Sequence, residues 1–443
     1  MSRMVHYKKT GACKLVGAMR LPAGLLDLDT CYRVNSFDDE DTHHIVKVSK
    51  ARTPQPCPEC NGRTIIHSNK TVTVYHEPLK NKPCLIHLAK RRLICKRCSK
   101  TFDEAQPLLS GITPHLSHAG ATYIAECFKE GKSAAQIQHT SGAPKDIVSK
   151  VQDCMDIGKH RLPHNLCIDE TRVFPKRIAV KQNRPHMSAC IYDAEHSTLV
   201  DMIEGDGGSV VRAWLSTFTK GELDQVQTVS CDLNGSYIKL ARECFPNASI
   251  YADKFHVSKL VTEAVDDIRK RITKERDPDD TKVLTKISKL ITTRHANLDH
   301  RKIVKVASGF EADYTSDLRV AYYVLQLFFE WSDKNHETRQ DMETSLKHWI
   351  SRAKSTKVAE LNRVANTINR NIVYVLNAWE HGRTNAIAEA MNRRIKDIIR
   401  DARGFNSFKA LRRRCLIVLG HDRKPKGSIP LFKRSKSKEV KAN

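Results

Sequence analysis

The sequence predicts a multidomain α/β protein with an N-terminal zinc ribbon, a helix-turn-helix and a mixed α/β core interrupted by a helical insertion. Three observations support this: two Cys-x-x-Cys pairs, alternating strand and helix patterns, and a long helical stretch with few breakers. The predicted segments are a β-hairpin region (1–50), the ribbon (51–108), the helix-turn-helix (115–160), the core (164–258 and 381–420), the insertion (259–380) and a basic tail (421–443).

The composition indicates a polyanionic partner. The chain has 443 residues, 40% of them hydrophobic, and a formal net charge of +25. This length and apolar content allow several buried cores, and the positive charge is typical of proteins that bind nucleic acid. The sequence contains no run of ~18 apolar residues, and its first residues lack the apolar segment of a signal peptide. We therefore expect a cytoplasmic protein with no membrane partner.

Four cysteines have the spacing of a structural zinc site. Cys57 and Cys60 form one pair, and Cys95 and Cys98 form the second after an intervening stretch of strand-like runs. Each pair lets two thiolates on one tight turn reach the same ion, which gives tetrahedral coordination. The alternative is four buried thiols without metal. Further candidate ligands lie between the pairs and are predicted to be ribbon surface, because a tetrahedral site is already filled: His67, His76, Cys84 and His87.

A helix-turn-helix pattern follows the ribbon. Ser133 is predicted to cap a helix over 134–140, a turn follows at 141–143, and Pro144 begins a second helix that runs to about 156. The second helix would offer Lys145, Ser149 and Lys150 to a DNA groove. Any small helical bundle could show the same pattern, so its position beside a ribbon in a basic chain decides the interpretation.

The next segment predicts three meandering strands, a helix, a strand, a helix and a strand. Asp169 and Glu170 close the first strand, Asp232 closes the fourth and Asp253 closes the fifth. This element order is the plan of an RNase-H-like nuclease core, and ligands collect at the carboxyl edge of such sheets. The alternative is structural, because Asp is also a common helix N-cap.

A third candidate carboxylate lies on a helix over 384–404. Ile387, Met391 and Ile395 mark its packing face, and Glu389 falls on the opposite side. The predicted polar stripe around Glu389 contains amides and cations that suit a phosphodiester. Its candidate DNA contacts are Asn392, Lys396, Arg400 and Arg403, and its remaining member is Asn385. The alternative is a solvated face on which Glu389 pairs with Arg393.

Together these motifs resemble a known family. The chain is similar over essentially its full length to DDE transposases of bacterial insertion sequences, of the ISL3 type. The residues that carry the resemblance are the two cysteine pairs, Ile168-Asp169-Glu170, Cys231-Asp232 with Tyr237-Ile238-Lys239, Pro246-Asn247-Ala248, Asp253-Lys-Phe-His256-Val257, and the block from Glu389-x-x-Asn392 to Gly404-Phe405. Where the family usually has Asn-Gly and Glu-Gly, this chain has Asn385-Ala386 and Glu389-Ala390.

The resemblance implies a transposase that cuts and joins DNA at the ends of an insertion sequence. Asp169, Asp232 and Glu389 would be the catalytic triad and would hold two Mg²⁺ or Mn²⁺ ions. The expected partner is double-stranded DNA, both terminal inverted repeats and target, bound by a homodimer or larger assembly. Residues expected beside the triad are Glu170, Asp253, His256 and Asn385. The alternatives are an inactive or repurposed DNA-binding regulator, and a single-strand or hybrid nuclease.

Overall fold

A computed structural model describes residues 26, 28–155, 157, 161–233, 235–381 and 386–420 of the chain. The predicted basic tail, Asn385 and most of the first 27 residues lie outside these ranges. The chain divides into two compact units. The first comprises Met1–Gly158, Ile398–Phe405 and Arg413–Asn443, and the second comprises Lys159–Asp397 and Asn406–Arg412. Among the described helices, none combines the length and the apolar character that crossing a bilayer requires.

The first unit begins with a five-stranded sheet. Its strands are β1 (Tyr32–Asp39), β2 (His44–Lys50), β3 (Thr64–Leu79), β4 (Lys82–Cys95) and β5 (Thr101–Asp103). The order is β1-β2-β4-β3, and β5 pairs with β4. A two-residue turn with positive φ at Lys80 (47°) and Asn81 (63°) joins the long strands β3 and β4. This turn matches the twist of a hairpin, so the short strand-like runs of the sequence merge into two long strands.

Three helices follow the sheet: α1 (His118–Lys129), α2 (Ala134–Ser141) and α3 (Lys145–Cys154). The predicted cap is confirmed, because Ser133 and Gln136 form a reciprocal capping box at the start of α2. Gly142 ends α2 with a φ of 69°, and a Cβ at this position would lie 2.8 Å from a side-chain carbon of Pro83. Glycine is therefore required at the turn between α2 and α3.

Two residues predicted to be ribbon surface are instead buried. His76 is 1% exposed and Cys84 is 0% exposed. His76 lies with its Nδ1 atom 2.8 Å from the hydroxyl of Ser117, the N-cap of α1. Cys84 lies within the apolar core of the sheet. The prediction was wrong for both residues because their burial depends on contacts of which the local sequence carries no sign. α1 packs against β3 near His76, and Cys84 shares its core with residues of β1 and β2.

Arginines from the far end of the chain satisfy the ends of α1 and α3. They belong to the last described helix, α16 (Phe408–Leu419). Arg413 donates to the carbonyls of Gln152 (2.7 Å), Asp153 (2.6 Å) and Met155 (2.6 Å). Arg414, which is 4% exposed, donates to the carbonyls of Phe128 (2.9 Å) and Lys132 and lies over the Phe128 ring. The last carbonyls of a helix lack partners within the helix, so these contacts fill a need that α1 and α3 cannot meet alone.

The second unit contains a mixed five-stranded sheet with the order β10-β9-β6-β7-β8. Its strands are β6 (Asn165–Arg172), β7 (Met187–Asp193), β8 (Thr198–Glu204), β9 (Thr228–Cys231) and β10 (Ser249–Ala252). β6, β7 and β8 form an antiparallel meander, whereas β9 is parallel to both β6 and β10. The predicted order of the five strands is confirmed. The first strand is longer than predicted, because pairing with β7 continues to Arg172.

Short helices connect the strands of this sheet: α4 (Lys176–Gln182), α5 (Gly208–Leu215), α6 (Lys220–Asp224) and α7 (Gly235–Cys244). α5 and α7 bury apolar side chains such as Val211, Leu215 and Leu240 against Leu166 and Ile168 of β6. Alternate residues of a strand point to opposite faces, so one face of β6 is committed to this core. The even-numbered residues of β6 lie on that face, and Asp169 lies on the other.

Seven helices follow β10: α8 (Lys254–Glu275), α9 (Pro278–Ile287), α10 (His300–Ser308), α11 (Ser316–Asp333), α12 (Arg339–Ser355), α13 (Ala359–Arg370) and α14 (Ile372–Glu380). They share one apolar core, in which Phe328 packs against the rings of Trp331, Trp349 and Trp379. Trp331 and Trp349 are buried in this core, and Trp379 packs against it. Helix α15 (Ala386–Asp401) follows α14 in the described chain.

We predict that Arg414→Met destabilises α1–α3 by about 1–3 kcal/mol, because it removes the charged donor that the Phe128 and Lys132 carbonyls share and leaves the Phe128 carbonyl with the Gly131 amide alone. Amide hydrogen exchange within 118–154 should accelerate by roughly tenfold or more. Tryptophan fluorescence is an internal reference, because Trp214, Trp331, Trp349 and Trp379 all lie in the second unit. Lys409→Met, which removes an exposed cation from the same helix, is the matched control. Equal exchange in the two variants would contradict the prediction.

Candidate functional site

The four predicted zinc ligands come together on two similar turns. The Asn61 amide donates to the Cys57 carbonyl at 3.0 Å, and the Ser99 amide donates to the Cys95 carbonyl at the same distance. Both Asn61 and Ser99 have positive φ, 55° and 58°. These two tight turns place Cys60 and Cys98 back beside the cysteine that begins each turn. The Arg97 amide also donates to the Cys95 sulfur at 3.3 Å, an arrangement that stabilises a thiolate.

The sulfur positions fit one tetrahedral metal ion. The Sγ atoms of Cys57 and Cys98 are 3.6 Å apart, and the Cys60 sulfur lies 3.5 Å from those of Cys95 and Cys98. A Zn–S bond of about 2.3 Å gives tetrahedral sulfur separations of roughly 3.8 Å, close to these values. Gly62 allows this approach, because a Cβ there would lie 3.0 Å from the Cys95 sulfur and 3.2 Å from the Cys60 sulfur. The predicted zinc cluster is confirmed in its ligands and geometry.

A second cluster of functional groups lies at the edge of the second unit's sheet. The pairing of β6 with β9 places Cys167 beside Ser230, so Asp169 and Asp232 stand two residues further along in the same register. The pairing of β9 with β10 places Cys231 beside Ala252, so Asp232 and Asp253 follow as neighbours. Three carboxylates therefore lie in one row across three parallel strands.

Both carboxylate oxygens of Asp169 accept a hydrogen bond. The Glu170 amide donates to Oδ1 at 2.8 Å, and the side-chain amide of Asn392 donates to Oδ2 at 2.8 Å. Burial raises the pKa of Asp169, and the carboxylates of Asp253 and Asp232 contribute to the increase, whereas the Glu170 hydrogen bond and His256 oppose it. A buried carboxylate beside two others is stabilised by a nearby cation, which is the environment of a metal ligand.

Asp253 and His256 form a pair beside Asp232. Asp253 is the N-cap of α8 and accepts from the Phe255 amide at 2.9 Å. The His256 Nδ1 atom lies 2.9 Å from Asp253 and 3.9 Å from Asp232. Burial acts to lower the pKa of His256, but these carboxylates and Asp169 raise it more, so the net shift is upward. The imidazole of His256 thus lies within contact distance of two carboxylates of the row, and Asp253 has a structural role as the helix cap.

Glu170 faces away from this row. Its carboxylate accepts a hydrogen bond of 2.5 Å from the phenol of Tyr237, which in turn accepts from the Gly207 amide at 3.0 Å. Because successive residues of a strand point to opposite faces, Glu170 and Asp169 cannot occupy adjacent positions around one ion. The sequence placed Tyr237 in a motif of the family resemblance but did not predict its contact with Glu170, since a buried helical tyrosine carries no local sign of a strand partner.

Glu389 lies one helical turn before Asn392 on α15, with its side chain 53% exposed and in an ion pair with Arg393. Among the described residues, only the four cysteines bring three or more potential ligand atoms within 4.8 Å of one another. Asp169, Asp232 and Glu389 are not gathered that closely. Arg393, one turn further along α15, supplies the opposite charge that Glu389 contacts.

The predicted DNA-contacting residues divide into two groups. On α3, Lys145, Ser149 and Lys150 are exposed, while Ile147 and Val148 of the same helix are buried. On and after α15, the exposed members are Lys396, Arg400 and Arg403. Asn392 differs from the prediction, because it is only 7% exposed and its amide binds Asp169 rather than facing solvent.

Two sequence families match the chain. A family described as transposase, the ISL3 type of DDE transposases, matches residues 166–415. A second, described as the zinc-finger of transposase IS204/IS1001/IS1096/IS1165, matches residues 53–98. The transposase for insertion sequence element IS1001 from Bordetella parapertussis is 22% identical over 377 residues, which cover 79% of this chain and 85% of that protein. These matches include both the cysteine cluster and the strands that carry the carboxylates.

We predict that the purified chain contains about one zinc ion and that Cys60→Ala loses it, because three thiolates cannot complete the tetrahedral set. Elemental analysis measures the zinc content directly. Cys84→Ala is the matched control, since it removes a buried thiol of the same sheet that is not part of the cluster. Zinc loss from both variants, or a folded wild-type chain without zinc, would refute the assignment.

Proposed function

The chain belongs to the ISL3 family of DDE transposases, and we propose that it binds the ends of an insertion sequence and catalyses Mg²⁺-dependent DNA cleavage and strand transfer. The observation that carries this proposal is the register of the sheet, which aligns Asp169 with Asp232 on neighbouring strands. The hydrogen bond from Asn392 to Asp169 brings the helix of Glu389 to the same face.

The sheet supports an RNase-H-like core. Its central strand β6 lies between the antiparallel meander on one side and the parallel strands β9 and β10 on the other. Helices α5 and α7 cover one face, which leaves the face of Asp169 and Asp232 for α15 and for substrate. The helices from α8 to α14 would then be an insertion between the fifth strand and the helix that carries the third acid.

The donor set fits Mg²⁺ or Mn²⁺. Asp169, Asp232 and Glu389 offer hard carboxylate oxygens, and burial of Asp169 beside other carboxylates leaves negative charge to be balanced. Two such ions, when bound, would activate the attacking oxygen and stabilise the leaving oxygen. To join the site, Glu389 would exchange its ion pair with Arg393, and an exposed pair of this kind contributes only about 0–1 kcal/mol. The exchange is therefore easy.

DNA recognition would use both units. We propose that α2 and α3 form a helix-turn-helix whose second helix presents Lys145, Ser149 and Lys150 to the end sequence, next to the zinc ribbon. Lys396, Arg400 and Arg403 would contact DNA phosphates near the cut. Cutting both ends of an insertion sequence together requires one active site at each end. We therefore propose a homodimer or larger assembly on DNA in the bacterial cytoplasm.

A second function, an inactive DNA-binding regulator, is favoured by one observation. Glu389 is engaged by Arg393, and alanines stand at 386 and 390, where the family usually has glycine. A chain that binds the repeats but cuts nothing would fit this function.

We predict that Asp169→Ala, Asp232→Ala and Glu389→Ala each reduce cleavage by roughly a thousandfold or more, because each removes several kcal/mol of metal-borne charge stabilisation. DNA binding should be preserved or tightened, since each change removes a negative charge near phosphate. The assay is cleavage and strand transfer on a plasmid that carries the element's inverted repeats.

Asp253→Ala is the informative control for this series. It should retain cleavage and lose about 1 kcal/mol of stability through its helix cap. If Glu389→Ala cuts at the wild-type rate and Asp253→Ala is inactive, the third ligand is Asp253. A wild-type chain that binds the repeats and never cuts them supports the regulator.

We predict that DNA affinity falls by about a thousandfold between ~50 and ~200 mM salt, as expected for six or more phosphate contacts. Lys150→Ala should weaken binding and reduce the salt slope by about one. The matched control is Lys305→Ala, which removes an exposed lysine from α10, a helix that contains none of the proposed DNA-contacting residues. Fluorescence anisotropy at several salt concentrations measures both effects, and a flat salt response would rule out a phosphate-based interface.

A further inference from the structure

A buried polar pair stands behind the Asp169 carboxylate. The phenol of Tyr192 on β7 donates to the Asn392 Oδ1 atom at 2.5 Å, and the Asn392 amide nitrogen donates to the Asp169 Oδ2 atom at 2.8 Å. Tyr192 is 0% exposed and Asn392 is 7% exposed. Tyr192 and Asn392 are 200 residues apart in sequence. Tyr192 has no part in the reaction proposed above, and Asn392, which the sequence placed among the DNA contacts, is turned inward instead.

The chain of hydrogen bonds has only one workable direction. Burial raises the pKa of Tyr192 well above its usual value, so its hydroxyl stays protonated and remains a donor. The donor fixes the Asn392 oxygen toward Tyr192 and therefore turns the amide nitrogen toward Asp169. The Glu170 amide occupies the other oxygen of Asp169. Each carboxylate oxygen then keeps a free lone pair, while rotation of the carboxylate is blocked from both sides.

The same contact helps to fix the rotation of α15, together with the buried apolar residues Ala388, Met391 and Ile395 of that helix. Residues three apart on a helix lie about 5–6 Å from each other on one face, so holding Asn392 against the sheet also constrains where Glu389 stands. Loss of the amide contact would remove the polar part of this constraint and let Glu389 shift relative to Asp169.

We propose that Tyr192 and Asn392 are positioning residues of the metal site: they hold the Asp169 carboxylate in the orientation that binds a divalent ion and keep α15 turned so that Glu389 reaches the same site. This inference rests on the proposed function. It assigns neither residue to the substrate or the ions, since both act through Asp169 and Glu389.

A similar pair on the other face of β6 supplies a comparison. Tyr237 donates to the Glu170 carboxylate at 2.5 Å, and it is also buried, at 2% exposed. Both tyrosines thus donate a phenol hydrogen bond at β6. Tyr237 donates to Glu170 of the strand itself, and Tyr192 donates to Asn392, which contacts Asp169 of the strand. Only the Tyr192 pair reaches Asp169, so removing either hydroxyl should affect stability, but only one removal should affect metal binding.

The test is Mn²⁺ binding to the full-length chain, followed by electron paramagnetic resonance, with zinc content as a check on folding. Asn392→Ala should weaken Mn²⁺ binding by about 10- to 100-fold, the usual effect of removing a group that orients a metal ligand. Tyr192→Phe should weaken it less, because the amide remains but is free to turn. Tyr237→Phe should bind Mn²⁺ like the wild type.

Asn392→Asp separates positioning from direct ligation. A carboxylate cannot donate to Asp169 and would repel it, so we expect weaker Mn²⁺ binding than in Asn392→Ala. An Asn392→Asp variant that binds as well as the wild type would overturn the proposal, because Asn392 would then be a ligand itself.

Asp169→Ala distinguishes failure of this inference from failure of the proposed function. If Asp169→Ala leaves Mn²⁺ binding unchanged, the carboxylate row is not the metal site and both proposals are overturned. If it abolishes binding while Tyr192→Phe and Asn392→Ala bind normally, the metal site stands and the positioning role alone is wrong.

Discussion

The hydrogen bond from Asn392 to Asp169 is the interaction on which the site depends. It joins two residues that are 223 positions apart and links β6, the central strand of the sheet, to α15, which the seven helices α8 to α14 separate from that sheet in sequence. The apolar core of α8 to α14 also contains Ala252 of β10, and α15 buries Ala388, Met391 and Ile395 of its own. Apolar packing of this kind tolerates small shifts, whereas a buried amide that is satisfied at both ends ties α15 to one particular carboxylate.

Negative charge at the sheet edge creates the need for such contacts. Asp169, Asp232 and Asp253 lie in one row because the parallel strands β6, β9 and β10 are in register. Neighbouring carboxylates repel one another when they are ionised. The structure offsets this repulsion with hydrogen-bond donors and an imidazole: the Glu170 and Asn392 amides at Asp169, the Phe255 amide at Asp253, and His256 beside Asp253 and Asp232. Each offset is partial, which leaves a site that a divalent cation would complete.

The first unit also depends on contacts between residues that are distant in sequence. Its sheet contains a cysteine cluster at one end, where two tight turns and a glycine bring four sulfurs together. Its helices α1 and α3 end in carbonyls that arginines from the last described helix satisfy. In both cases residues distant in sequence complete a local element. The N-terminal unit therefore depends on the C-terminal part of the chain as well as on its metal.

The sequence by itself determined the features that local chemistry controls. The cysteine spacing predicted the zinc cluster, capping and turn residues predicted α2 and α3, and hydrophobic periodicity predicted the order of the five strands. Asp169 and Asp232 could be chosen because a strand pattern places its own residues at its end. Such signals lie within a few residues of each other and need no knowledge of the rest of the chain.

The tertiary structure decided which polar side chains turn inward. The helical pattern placed Asn392 on the exposed stripe because it gave weight to the large residues Ile387 and Met391, whereas Ala388 and Asn392 are buried beside Met391. An asparagine can be buried only when its amide is satisfied, and its partners Tyr192 and Asp169 come from β7 and β6. The burial of His76 and the turning of Glu170 toward Tyr237 have the same cause. Partners brought together by folding from distant parts of the chain leave no trace in the local sequence.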